Sequence, residues 1–127
     1  MKAVQSPAPA PARKRILVVD DNVDAATSLA LLMRAMGHEV FVAHEGRSAL
    51  SDLSRIRPDM ALLDIAMPDM SGYELAREIR SRMGSAVRIV ALSGFGLPED
   101  RARALEAGFD QHLVKPADVA FLKSLLG

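Results

Sequence analysis

Arg15-Ile16-Leu17-Val18-Val19-Asp20-Asp21 decides the fold. Four apolar residues in a row leave the segment no polar face, and two adjacent carboxylates then close it. An alternating strand wets one side of its sheet, whereas a short apolar run bounded by acids fits a strand covered on both sides, as in parallel sheets. Working outward, similar runs recur at Val40-Phe41-Val42, Met60-Ala61-Leu62-Leu63, Ile89-Val90-Ala91-Leu92 and Leu113-Val114. The segments between them have helical period. Leu29, Leu32, Met33 and Met36 fall at i, i+3, i+4 and i+7, and Leu75, Ile79 and Met83 recur every fourth residue. Leu50 with Leu53, and Leu122 with Leu125 and Leu126, mark two more amphipathic faces. Strands alternating with helices predict an α/β domain of three layers, with a five-stranded parallel sheet between helices.

The punctuation agrees. Asn22 is placed to cap the first helix, Ser71 with Glu74 forms a capping box, and Asp118 is placed to cap the last helix. Gly37 and Gly108 follow helical segments where a left-handed residue is wanted. Before all this, Ser6-Pro7-Ala8-Pro9-Ala10-Pro11 is expected to stay extended and solvated. The division expected is a Pro/Ala-rich disordered tail over 1–13 and one folded domain over 14–127.

Composition narrows the function. With 127 residues, half of them apolar, the chain can bury a core of its own. Sixteen basic and sixteen acidic residues cancel, and only five aromatics are present, so neither a polyanion footprint nor a base-stacking platform is expected. The absence of cysteine removes disulfides, thiolate metal sites and cysteine nucleophiles together. The N-terminus lacks the apolar core of a signal peptide, and no run approaches the ~20 apolar residues that span a bilayer. A cytoplasmic protein without nucleic-acid or membrane contacts is the expectation.

The chemistry collects after the strands. Asp20 and Asp21 follow the first, Asp64 the third, Ser93 the fourth and Lys115 the fifth. In an open parallel sheet these ends share one edge, where ligands bind at the switch point of strand order. Taken singly, an acid after a strand is more often a cap or a solvated turn. Three carboxylates, a hydroxyl and a lysine at one edge are harder to obtain by chance. Asp59 precedes its strand and should face the other edge, and Asp69 should be solvated in a loop. Three clustered carboxylates repel unless protonated or neutralised by a cation. All-oxygen donors without His or Cys point to Mg²⁺ rather than zinc. A carboxylate beside that ion and a lysine can attack phosphorus and form an acyl phosphate. Asp64 is assigned the attack, Asp20 and Asp21 the metal, and Lys115 and Ser93 the phosphoryl oxygens.

Four segments carry a family resemblance: Arg15 to Asp21, Leu62-Leu63-Asp64-Ile65-Ala66-Met67-Pro68-Asp69-Met70-Ser71-Gly72, Ala91-Leu92-Ser93-Gly94 and Leu113-Val114-Lys115-Pro116. In order and spacing they resemble the two-component response-regulator receiver family (CheY-like), over roughly residues 14 to 126. The resemblance implies a flavodoxin-like (βα)5 fold with strand order 2-1-3-4-5, and a switch rather than an enzyme. It also implies phosphoryl transfer to Asp64 from the phosphohistidine of a histidine kinase or histidine phosphotransfer protein. Mg²⁺ would be bound by Asp21, Asp64, the backbone carbonyl of Ala66 and, through water, Asp20. A cis peptide is expected at Lys115-Pro116. Ala107 to Asp118 looks most like receivers of hybrid sensor kinases, whereas the initial Met and Pro-rich tail favour a free-standing regulator.

In the family reading Ser93 turns toward the phosphoryl group and draws the following loop with it. His112 stands where many members carry a switching Tyr or Phe, and is a candidate output residue. Ala66 and Phe95, two residues past Asp64 and Ser93, offer no group to position an attacking water, so slow self-dephosphorylation is expected. No effector follows the last helix, so output is expected to pass through an unidentified downstream protein or onward transfer. Two other classes compete. A phosphorylation-independent adaptor would be expected to lack a pocket residue. A Mg²⁺-dependent phosphohydrolase would need a second acid two residues after Asp64, where Ala66 stands.

Overall fold

The computed structural model describes residues 13–94 and 98–126; the Pro/Ala-rich segment and Phe95 lie outside them. The elements run β1 (Arg15–Val19), α1 (Val23–Ala35), β2 (Glu39–Ala43), α2 (Gly46–Ile56), β3 (Met60–Asp64), α3 (Gly72–Met83), a 3-10 turn (Gly84–Ala86), β4 (Arg88–Ser93), α4 (Pro98–Ala107), β5 (Gln111–Val114) and α5 (Val119–Leu126). The strands pair in parallel, in the order β2-β1-β3-β4-β5. This is the expected flavodoxin-like arrangement. Among the described residues no helix is long and apolar enough to cross a membrane.

Strand alternation divides the core in two. Ile16 and Val18 of β1, with Met60 and Leu62 of β3, join Ala26, Ala30 and Met33 of α1 and Leu122 and Leu125 of α5. Leu17 and Val19, with Ala61 and Leu63, join Leu53 of α2, Leu75 and Ile79 of α3 and Ala104 of α4. The Ile, Val, Leu and Met side chains among these are almost fully buried, and each such burial contributes about 2 kcal/mol. The sheet is therefore an apolar plate whose chemistry can emerge only at its edges.

Capping follows the sequence reading. The Asn22 side chain accepts from Ala25 N–H, and Ser71 and Glu74 bond reciprocally across the first turn of α3. Asp118 Oδ1 accepts from Ala120 N–H at 3.2 Å. Gly37 and Gly108 have φ of 96° and 101°, in the left-handed region that glycine enters without steric cost. The helical stripe of α1 differs from expectation. Ala26, Ala30 and Met33 are its fully buried residues, while Leu29, Leu32 and Met36 are partly buried at the border. Small alanines let the helix approach the sheet closely, and a pattern weighted toward large residues points slightly to one side of them.

At the N-terminal edge of the sheet, Arg80 of α3 gathers three segments. Its guanidinium donates to the carbonyls of Gly84, Val87 and Gly108 and to Asp110 Oδ2, all within 2.8 Å. Nearby, Arg15 Nε donates to Ile56 O at 2.7 Å, closing the end of α2 over the start of β1.

His38 is buried at the same edge, and its Nδ1 accepts from Lys14 N–H at 3.1 Å. An accepting Nδ1 requires the neutral ring with its proton on Nε2. Burial, reinforced by the Lys14 charge, lowers the His38 pKa below the ordinary 6.5. A depressed histidine contributes stability above its unfolded pKa that is lost as pH falls through the folded one. An NMR titration of the His38 ring should give a midpoint below 6.5; a midpoint at or above that value would refute the assignment.

Candidate functional site

The opposite edge, at the C-terminal ends of the strands, assembles the expected residues. Parallel pairing sets Val19 beside Leu63, Asp64 beside Leu92 and Ser93 beside Val114, so Asp64 and Ser93, which end β3 and β4, share one edge with Asp20 and Lys115, which follow β1 and β5. Lys115 Nζ stands 2.8 Å from Asp20 Oδ2 and 3.5 Å from Asp64 Oδ1. Asp20 Oδ1 also accepts from Asn22 N–H, and Asp64 Oδ1 from Ala66 N–H. Asp20, Asp64 and Ser93 are buried, whereas Asp21 is exposed at the rim. Lys115 N–H donates to Ser93 O at 2.8 Å, and the Lys115-Pro116 bond is cis, as expected.

Burial and the neighbouring charge of Asp20 push the Asp64 carboxyl up to about 6, against the opposing pull of Lys115 and Ala66 N–H. For Lys115, burial works toward a lower pKa. The hydrogen bond to Asp20 and the charges of Asp64 and Asp20 outweigh it, and the net shift is upward. One lysine thus serves two buried carboxylates and leaves the cleft short of positive charge.

A hard divalent cation fits that deficit. One oxygen from each of Asp20, Asp21 and Asp64 lies within 4.8 Å of the others. An all-oxygen donor set with one member at the solvent-exposed rim suits Mg²⁺, which uses few carboxylates and keeps several waters.

Asp59 lies at the far edge, where its carboxylate accepts from Arg15 N–H at 2.8 Å. Asp69 is exposed. His112, half-buried on β5, pairs in register with Ala91, four residues along the chain from the cleft lysine's neighbour Pro116. Ala66 is exposed beside the site, while Phe95 is outside the described residues.

Two contributors escaped the sequence reading. His44 follows β2 at this same edge, and its Nδ1 lies 3.0 Å from the backbone carbonyl of Asp20. The strand-end rule that found the acids would have found it. Gly72 opens α3 against the end of β3: a Cβ there would meet Asp64 O at 2.4 Å and Ile65 Cα at 2.7 Å. The signal available was its position immediately after the Ser71 cap.

Comparison with known proteins agrees with this geometry. The family model described as the response regulator receiver domain matches residues 16–126. An uncharacterized 14.6 kDa protein of Leptolyngbya boryana is 39% identical over 108 residues, covering 84% of this chain and 82% of that one. The gliding motility regulatory protein of Myxococcus xanthus is 38% identical over 109 residues, covering 85% of this chain but 14% of its own length. The DNA-binding response regulator MtrA of Mycolicibacterium paratuberculosis is 38% identical over 104 residues, covering 82% of this chain and 45% of that one. The chain thus spans less than half of several relatives. A DNA-binding relative leaves the expectation of no nucleic-acid partner without support.

Among solved structures, chemotaxis protein CheY4 of Vibrio cholerae has a TM-score of 0.84 at 29% identity, covering 90% of this chain and 97% of that one. The receiver domain of the Pseudomonas aeruginosa sensor histidine kinase PA1611, solved with a magnesium ion coordinated in its active-site cleft, has a TM-score of 0.79. It is 34% identical and covers 91% of this chain and 95% of that one.

Proposed function

Since the chain belongs to the response regulator receiver domain family, the phosphoacceptor switch of two-component signalling, we propose that Asp64 is its phosphoacceptor and Lys115 and Ser93 its assisting groups. The observation that carries this reading is Lys115 Nζ held between Asp20 and Asp64, at 2.8 and 3.5 Å, in a cleft where burial and Asp20 press on the Asp64 carboxyl. The donor is a phosphohistidine on a histidine kinase or phosphotransfer protein. Residues 14–127 are read as the receiver domain and 1–13 as its tail.

A carboxylate oxygen of Asp64 forms the new P–O bond as the P–N bond to the imidazole breaks, and the departing nitrogen keeps the bonding pair. Asp64 must attack as the anion, and its elevated pKa makes it more basic than a solvent-exposed carboxylate. Lys115 is already poised beside it to meet charge on the phosphoryl oxygens, and the buried Ser93 hydroxyl can donate to one of them. Mg²⁺, when bound by Asp21, Asp64, the Ala66 carbonyl and, through water, Asp20, would neutralise the carboxylates and screen the incoming phosphoryl charge. A cavity of about 440 Å³ lined by Ser28, Leu29 and Leu32 of α1, with Lys115, Pro116 and Ala117, adjoins Asp20 and gives the donor protein an approach.

Phosphorylation adds roughly two negative charges beside the end of β4. Ser93 at that strand end carries the resulting shift, with His112 on the neighbouring strand as an output residue, and biases a two-state equilibrium. The test is incubation with acetyl phosphate and Mg²⁺ followed by intact mass. One added phosphoryl group, dependent on the metal, is expected; an unchanged mass under conditions that phosphorylate a control receiver would overturn the reading.

A further inference from the structure

The N-terminal edge of the sheet, remote from Asp64, carries a second cavity, of about 520 Å³, between the C-terminal halves of α2 and α3. Leu50, Leu53 and Met83 give it an apolar floor, and Arg57 and Arg82 stand at its mouth. Segments 50–57 and 77–88 hold six arginines; Arg55, Arg80 and Arg82 pair with Asp52, Asp110 and Glu78, while Arg57, Arg77 and Arg88 have no ion pair among the described residues.

Arginines near helix C-termini have a structural use, since they complement the helix dipole and bond the last carbonyls. Arg80 does this here. Arg57 does not fit that account. It follows α2 with φ 48° and ψ 63°, and its backbone N–H, not its side chain, bonds Leu53 O. Glycine adopts that conformation at lower cost. Among the described residues the Arg57 guanidinium has no ion pair, and Arg82 has only an exposed contact with Glu78 at 3.4 Å.

We infer that this groove docks an acidic amphipathic helix of a partner protein, its apolar side seated on Leu50, Leu53 and Met83 and its carboxylates met by Arg57 and Arg82. Charge complementarity selects an anionic occupant, and guanidinium forks suit carboxylates. The apolar floor selects a peptide over a nucleic-acid backbone. The cleft lies at the other edge of the sheet, so docking is independent of the phosphorylation state and provides an anchor rather than a readout.

The test is an NMR titration of the ¹⁵N-labelled full chain with a synthetic helical peptide bearing leucines at i, i+4 and i+7 between glutamates. Saturable shifts at Leu50, Leu53, Arg57 and Met83 are expected, weaker at high salt and unchanged after treatment with acetyl phosphate and Mg²⁺. Arg57→Gly should keep the thermal midpoint at or above wild type while weakening binding about threefold to fivefold, and Arg82→Gln should weaken it similarly. A peptide with lysines in place of the glutamates should not bind. The inference is overturned by the absence of saturable shifts, by equal binding of the lysine peptide or of the Arg57→Gly chain, or by preferential binding of duplex DNA at the same residues.

Discussion

Asp64→Asn is expected to take up no phosphoryl group from acetyl phosphate and, with divalent ions chelated, to be more stable than the wild-type chain at pH 7. The first effect follows from removing the nucleophile: a neutral amide in the same space cannot form the acyl phosphate. The second follows from the cleft's electrostatics. Burial and Asp20 raise the Asp64 carboxyl from 3.8 to about 6, so the folded chain binds this proton more tightly than the unfolded one. Its contribution is fully present below the unfolded value and is lost as pH rises through the folded one. At neutral pH the ionised carboxylate therefore destabilises the fold. Asparagine removes that cost and keeps an oxygen for Ala66 N–H. Urea denaturation at pH 4.5 and 7 should show the advantage of the variant growing with pH, and Mg²⁺ should narrow it by stabilising only the wild type. A variant less stable than wild type at pH 7 in chelator would refute this account.

Gly72→Ala is expected to destabilise the chain by about 3 kcal/mol, and to impair phosphorylation as well. On helix propensity alone the exchange should help, since alanine is favoured over glycine in a helix by about 0.5–1 kcal/mol. Contact decides the sign. The added methyl would stand 2.4 Å from Asp64 O and 2.7 Å from Ile65 Cα, and these are backbone atoms that cannot rotate aside. Either α3 withdraws from β3, loosening Leu75 and Ile79, or the end of β3 shifts and carries Asp64 away from Lys115. A urea midpoint equal to or above that of wild type would show that the junction yields without cost.

Much of this was legible in the sequence because parallel strands covered on both faces must be apolar along their length. Any acid, hydroxyl or lysine placed just after such a run has only the sheet edge to occupy. Asp20, Asp64 and Lys115 met that condition and converge, and Ser93 ends the neighbouring strand at the same edge. The strand order came from the family resemblance, since runs alone do not say which strands are neighbours. What escaped is close approach and long-range hydrogen bonding. Ala26 and Ala30 carry too little apolar weight to mark a helix face, yet they let α1 reach the sheet. Arg80 reads as a surface charge, and its role depends on carbonyls up to 28 residues away. Gly72 reads as the first residue after a cap, and only the proximity of Asp64 O reveals why a side chain is excluded.

The Arg80 guanidinium has a kinetic consequence. One side chain holds the turn after α3, the start of β4 and the residues between α4 and β5, while Asp110 also accepts from Ile89 N–H. These pieces cannot fray one at a time without stranding a donor or an acceptor, so they open together as one cooperative unit. Amide hydrogens at Ile89, Phe109 and Asp110, distant in the chain, should then exchange with solvent at a common rate, set by how often that one arginine lets go.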